Sequence, residues 1–178
     1  FFTGAFPAEY GNAIAGVFDL KMRYGNTNKN EHWAQLGWNG LELGSEGPIN
    51  QSKNSSYIIA YRYSFVDLIK QAGIDIEESS AYQDLSFKLN FPQTKLGSFS
   101  LFSMSGQSAI EITDSDKEQA EWTFSNHGED IYNNYKMGVL GLSHRYYFDN
   151  SSAETNLALM GNDVENRIDT FYLDPSLK

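Results

Sequence analysis

The chain has 178 residues, a net charge of −10, no cysteine and 15% aromatic residues, yet its mean hydropathy is −0.47. The acidic balance repels phosphate backbones and argues against nucleic-acid binding, and the lack of cysteine excludes a disulfide framework, a thiol nucleophile and a Cys-ligated zinc. No run approaches the roughly 18 apolar residues of a membrane-spanning helix; Tyr57-Ile58-Ile59-Ala60-Tyr61 is among the longest, and Arg62 ends it. Many aromatics in a polar chain suit strands with one apolar face.

Phe1 begins no signal peptide, having neither Met nor a basic region before an apolar stretch. The chain therefore reads as an internal fragment. The Gly11-Asn12 pair marks a turn. After it, Phe18, Leu20 and Met22 alternate with Asp19, Lys21 and Arg23, the pattern of a half-buried strand. Residues 25–31 are almost all polar and read as a linker.

Residues 32–48 change parity. Ala34, Leu36 and Trp38 are apolar at even positions, Leu41 and Leu43 at odd ones. One unbroken strand would put Glu42 on the apolar face. Asn39-Gly40, whose residues tolerate the positive φ of a type I′ turn, divides it into a hairpin. The expected strands are then 32–38, 41–48, 55–68, 83–91, 98–112, 135–148 and 153–162. Residues 64–75 also offer a helical stripe through Phe65, Leu68, Ile69 and Ala72, limited by Gly73. Connections after the second, fourth and sixth strands are short, and those after the third and fifth are long. That alternation is the habit of outer-membrane barrels, and the Asn39-Gly40 turn is its exception. Aromatics collect beside the short turns, at Phe91 and at Tyr146-Tyr147-Phe148, as an interfacial girdle would.

In the third strand Tyr57, Ile59, Tyr61, Tyr63 and Phe65 share one face with Leu85, Phe87, Leu89 and Phe91 of the fourth. Ser56, Arg62, Ser64, Ser86, Lys88 and Asn90 share the other. In 135–148, Met137 and Val139 compete with Leu140 and Leu142, and the pattern leaves the facing open.

The segment from Phe6-Pro7-Ala8-Glu9-Tyr10-Gly11 to Gly16-Val17-Phe18-Asp19-Leu20 resembles the end of the plug domain in TonB-dependent receptors of the Bacteroidota type. Gly44-Ser45-Glu46-Gly47-Pro48-Ile49 resembles the turn region after an early barrel strand of the same family, and Tyr82-Gln83-Asp84-Leu85-Ser86-Phe87-Lys88 is similar to its barrel strands. The resemblance covers nearly the whole chain. It implies an all-β fragment of a transmembrane antiparallel barrel of about 22 strands, with the end of an internal plug. Residues 1–24 would end the plug, 25–31 link, and 32–178 supply about seven wall strands. The implied function is active import of a scarce nutrient across the outer membrane of a Gram-negative bacterium, with energy delivered through TonB. The implied partners are the lipid bilayer, TonB through a segment upstream of Phe1, and a small-molecule, peptide or oligosaccharide substrate, with a surface lipoprotein as a further candidate. A passive porin-like channel and a soluble β-sandwich or lipocalin-like binding module are the alternatives.

Glu42, Glu46, Arg62 and Lys88 are candidate lumen-facing charges. Arg62 and Lys88 would contact water or plug on one reading, and line a substrate path or dock the plug on the other. Trp122 and Phe124 are candidate ligand contacts in the long acidic loop. Asp114-Ser115-Asp116 begins like a calcium loop, but Gln119 and Ser125 stand where Gly and Glu are needed. His32, His127 and His144 lack metal-ligand spacing. Ser105-Gly106-Gln107-Ser108 has no nucleophile elbow. No catalytic constellation and no cofactor are expected.

Overall fold

The computed structural model describes residues 7, 10–11, 16–17, 19–37, 40–66, 69, 73–74, 78–115, 117 and 128–171. They build one seven-stranded antiparallel sheet in sequential order: β1 (Glu31–Leu36), β2 (Gly40–Asn50), β3 (Ser55–Ser64), β4 (Glu78–Thr94), β5 (Gly97–Ile112), β6 (Gly128–Tyr147) and β7 (Ser152–Phe171). The protein is all-β in the sense that the alternation implies.

The parity change in 32–48 is a hairpin. Leu36 pairs with Leu41 and Ala34 with Leu43, so the even and odd apolar positions meet on one face. The chain reverses between Gly37 and Gly40, where Gly37 donates its N–H to the Gly40 carbonyl at 2.8 Å; Trp38 and Asn39 lie outside the described residues. The turns after β2, β4 and β6 are short. Asn54 closes the first in the left-handed region, at φ 52°. Pro92 lies inside β4, where the register shifts between Phe91 and Thr94; a bulge tolerates the missing donor.

The later strands outrun expectation. β6 and β7 have 20 residues each, whereas a tilted membrane strand needs about 9–11. Alternation weakens beyond their apolar centres, so periodicity underestimates them; the backbone ladder continues through Asn133–Asn166 and Glu129–Thr170. The third strand is shorter than expected and ends at Ser64. Ile69 N–H then bonds the Phe65 carbonyl at 3.0 Å, a helical i,i+4 contact that fits the stripe through those residues.

Register assigns every strand residue to a face. Tyr57, Ile59 and Tyr61 pair with Leu89, Phe87 and Leu85. Leu89 continues to Leu101, and Leu101 to Leu142 and Leu157. This aromatic face therefore includes Leu140 and Leu142, which settles the facing of 135–148. The opposite, charged face carries Glu42, Arg62 and Asp84 in one cross-strand row. Glu46, Ile58, Lys88 and Phe102 form another. Ser64 is on this face but only 1% exposed, with its hydroxyl on the Ser80 carbonyl. Its hydroxyl also accepts the Val66 N–H at 3.4 Å, so Ser64 shares the polar face as its parity predicts but is enclosed there.

Among the described residues only Val66 is a buried hydrophobic side chain, while Leu159 is 76% exposed and Leu140 44%. The sheet has no core of its own, and its aromatic face requires a partner phase or surface.

Candidate functional site

The charged face gains its shape from the segment preceding β1. Residues 19–26 form no strand; the half-buried strand expected from their alternation is replaced by an irregular path across β4, β3 and β2. Side chains hold it there in place of a ladder. Arg23 makes two bonds to Glu46, at 2.5 and 2.7 Å, and the Asn26 N–H adds a third to the same carboxylate at 2.9 Å. Lys88 donates to the Met22 carbonyl at 2.8 Å, with its ammonium 4.1 Å from the Tyr24 ring centre. Gly25 makes the crossing possible, since a Cβ there would strike the Tyr57 carbonyl.

Glu46 is 7% exposed. A carboxylate so enclosed needs its lone pairs filled, and three donors do this. The charge-assisted bond to Glu46 holds the Arg23 guanidinium above its ordinary range. Residues 25–30 are a bonded bend. The Asn26 side-chain oxygen accepts from the N–H groups of Asn28 and Lys29, and its amide donates to Glu31. Lys29 is also raised, first by its bond to Glu31.

Glu42 and Arg62 stand in a second polar row. The Trp33 indole N–H donates to Glu42 at 2.8 Å, and Arg62 Nε lies 3.0 Å from both Asp84 oxygens. The four lumen candidates thus share one face but do different things. Glu46 and Lys88 dock the segment, whereas Glu42 and Arg62 belong to a cross-strand network. Trp122 and Phe124 lie outside the described residues, as do His127 and most of the calcium-like loop. Asp114 is fully enclosed beside Lys117, at 3.5 Å, and no group of three or more metal-type ligands occurs among the described residues. His144 stacks on Phe99 with ring centres 4.3 Å apart, an arrangement for packing.

Sequence reasoning missed Arg23, Trp33, Asp84 and Gly25. Asp84 shares parity with Ser86 and Lys88 and was findable by that signal. Arg23 and Gly25 act through a contact more than 20 positions away along the chain, which no local pattern encodes.

Two hollows follow from this layout. One, of about 670 Å³, lies over the Glu42–Arg62–Asp84 row and reaches Met104 and Met137. The other, of about 730 Å³, lies between Leu20–Tyr24 and the charged face of β4–β6. Comparison with protein-family models, curated proteins and solved structures finds no match to this chain.

Proposed function

We propose that this chain is a stretch of outer-membrane barrel wall together with the end of an internal plug, from an active nutrient importer of the TonB-dependent type. The observation that carries the reading is the segment 19–26. It crosses the charged face and is fastened there through Glu46 and Lys88, as a plug segment inside a lumen would be. A porin-like channel has no use for an ionic strap over its inner face.

The aromatic face supports the membrane half of the reading. It is continuous across β3–β7 and carries Tyr, Leu, Ile and Phe, while the strap and most charges of β1–β4 lie opposite. Hydrocarbon penalises unpaired polar groups, and a wet lumen does not. The short and long loops alternate as barrel loops do. A β-sandwich would bury the aromatic face against a second sheet, and the described residues contain none. Barrel closure would need further strands, since open edges are not stable in hydrocarbon.

These 178 residues contain no cysteine, so a direct test is open in the full-length protein once any cysteine elsewhere in it is replaced by serine. Spin labels at Ile59→Cys and Phe87→Cys in lipid vesicles should be accessible to oxygen. Labels at Ala60→Cys and Ser86→Cys should be accessible to a water-soluble nickel chelate, or shielded from both reagents by the plug. Nickel access at Ile59 and Phe87, or a detergent-free soluble monomer, overturns the membrane assignment. In planar bilayers a plugged importer should stay closed, and a steady large conductance would favour the porin.

A further inference from the structure

In a chain with 13 Lys and Arg against 23 Asp and Glu, the hollow beneath Leu20–Tyr24 has the opposite balance. Lys21, Arg23, Lys88 and Arg145 line it, with Glu154 as its carboxylate. Three of these cations are already matched: Lys21 to Asp19, Arg23 to Glu46 and Arg145 to Glu154. Lys88 differs. Its described partners, the Met22 carbonyl and the Tyr24 ring, are both neutral. An ammonium has three donors, and these contacts leave capacity for an anionic oxygen.

The surroundings of Lys88 divide into two halves. Along β4 toward the short turn comes Asn90, opposite Ser100, which is opposite Ser143. These supply amide and hydroxyl donors beside the charge. In the other direction the wall is apolar. Phe102 faces Lys88 across the ladder, and its ring lies over Gly141, where a Cβ would collide with it. Met104 follows, and Met22 closes the hollow from the strap. The volume of about 730 Å³ falls within the usual span for small-molecule sites, roughly 300–1,000 Å³.

We propose that this hollow binds an amphipathic organic anion, its carboxylate or phosphate on Lys88 with Asn90 and Ser100, its apolar body between Phe102, Met104 and Met22. The site rests on the placement of the strap over the sheet and not on import itself. An ammonium, flanking neutral donors and an apolar wall together select for such a molecule over a simple inorganic ion or a neutral sugar. The hollow over Glu42, Arg62 and Asp84 does not share this balance, because its one cation faces two carboxylates.

The test uses purified full-length protein in lipid nanodiscs and two fluorinated probes read by ¹⁹F NMR. One is 4-(trifluoromethyl)benzoate. The other is the uncharged 4-(trifluoromethyl)benzyl alcohol, which measures partition into lipid. The benzoate should bind saturably and the alcohol should not. Lys88→Met should weaken benzoate binding by about tenfold or more, the scale of one charge-assisted bond, and Lys88→Arg should largely retain it. Because Lys88 also holds the strap, Ser100→Asp provides a second test that leaves Met22 and Tyr24 untouched; its added carboxylate should abolish benzoate binding. Equal binding of both probes, no saturable benzoate binding, or unchanged affinity in Lys88→Met or Ser100→Asp overturns the site. Loss of the site with the spin-label pattern intact leaves the barrel reading standing, and the reverse result leaves the site standing.

Discussion

The charged face is two surfaces joined at β4. Over β1–β4 it carries Glu42, Glu46, Arg62, Asp84 and Lys88, and the strap from Asp19 to Asn26 lies on it. Over β5–β7 the same face carries Phe102, Met104, Val139, Met137 and Met160, with Met137 67% exposed and Met160 81% exposed. The chemistry changes where the strap leaves the sheet. A strap made of backbone carbonyls, an arginine and an asparagine N–H is complemented by charges and amides. Beyond it, the middle of the face turns to flexible thioethers, side chains suited to irregular or changing contacts, while Ser100, Ser143 and the Arg145–Glu154 pair keep its end near the short turns polar. One face of one sheet can thus serve a fixed internal contact at one end and an adaptable surface at the other.

The sharpest way to break this picture is to show that the two faces of the first four strands respond alike. Ile59→Arg or Phe87→Arg should cost about 2–4 kcal/mol if those sites meet the bilayer midplane, measured by denaturant unfolding from lipid vesicles. Ser86→Arg, on the charged face between the same strands, should be nearly neutral. Ser64→Arg is not a valid control despite its parity, because that serine is enclosed.

A smaller effect sharpens the contrast within the charged face. Arg23→Ala should cost about 1–2 kcal/mol, the range for bonds to a charged group reduced by the exposure of Arg23. Hydrogen exchange should accelerate in residues 19–26 and stay unchanged in β5–β7. Uniform acceleration across the sheet would show that the strap supports the whole structure and not its first half alone.

The smallest effect belongs to the exposed row. Arg62→Ala should change stability by less than about 1 kcal/mol, as exposed ion pairs do. The same denaturant titration reads it. A loss as large as that of Arg23→Ala would mean that the Glu42–Arg62–Asp84 row carries structural weight that its exposure does not indicate.

The sequence by itself determined the seven strands of the sheet, their antiparallel order and which residues of β3 and β4 share a face. There the apolar period of two is broken only by Ile58, and only one pleated arrangement buries or sheds the aromatics together. It also marked the hairpin that joins β1 to β2, because a parity change demands a reversal. Tertiary structure decided the rest. The facing of β6 came only from its register with β5, since Met137 and Val139 are as apolar as Leu140 and Leu142 and periodicity cannot rank them. The full lengths of β6 and β7 came from ladder bonds between backbones, which are indifferent to side-chain pattern. The strap was the least legible feature. Its alternation is that of a strand, but a strand needs a neighbour for its N–H and C=O groups, and what residues 19–26 find in the fold is a carboxylate on β2, an ammonium on β4 and room for a glycine over β3.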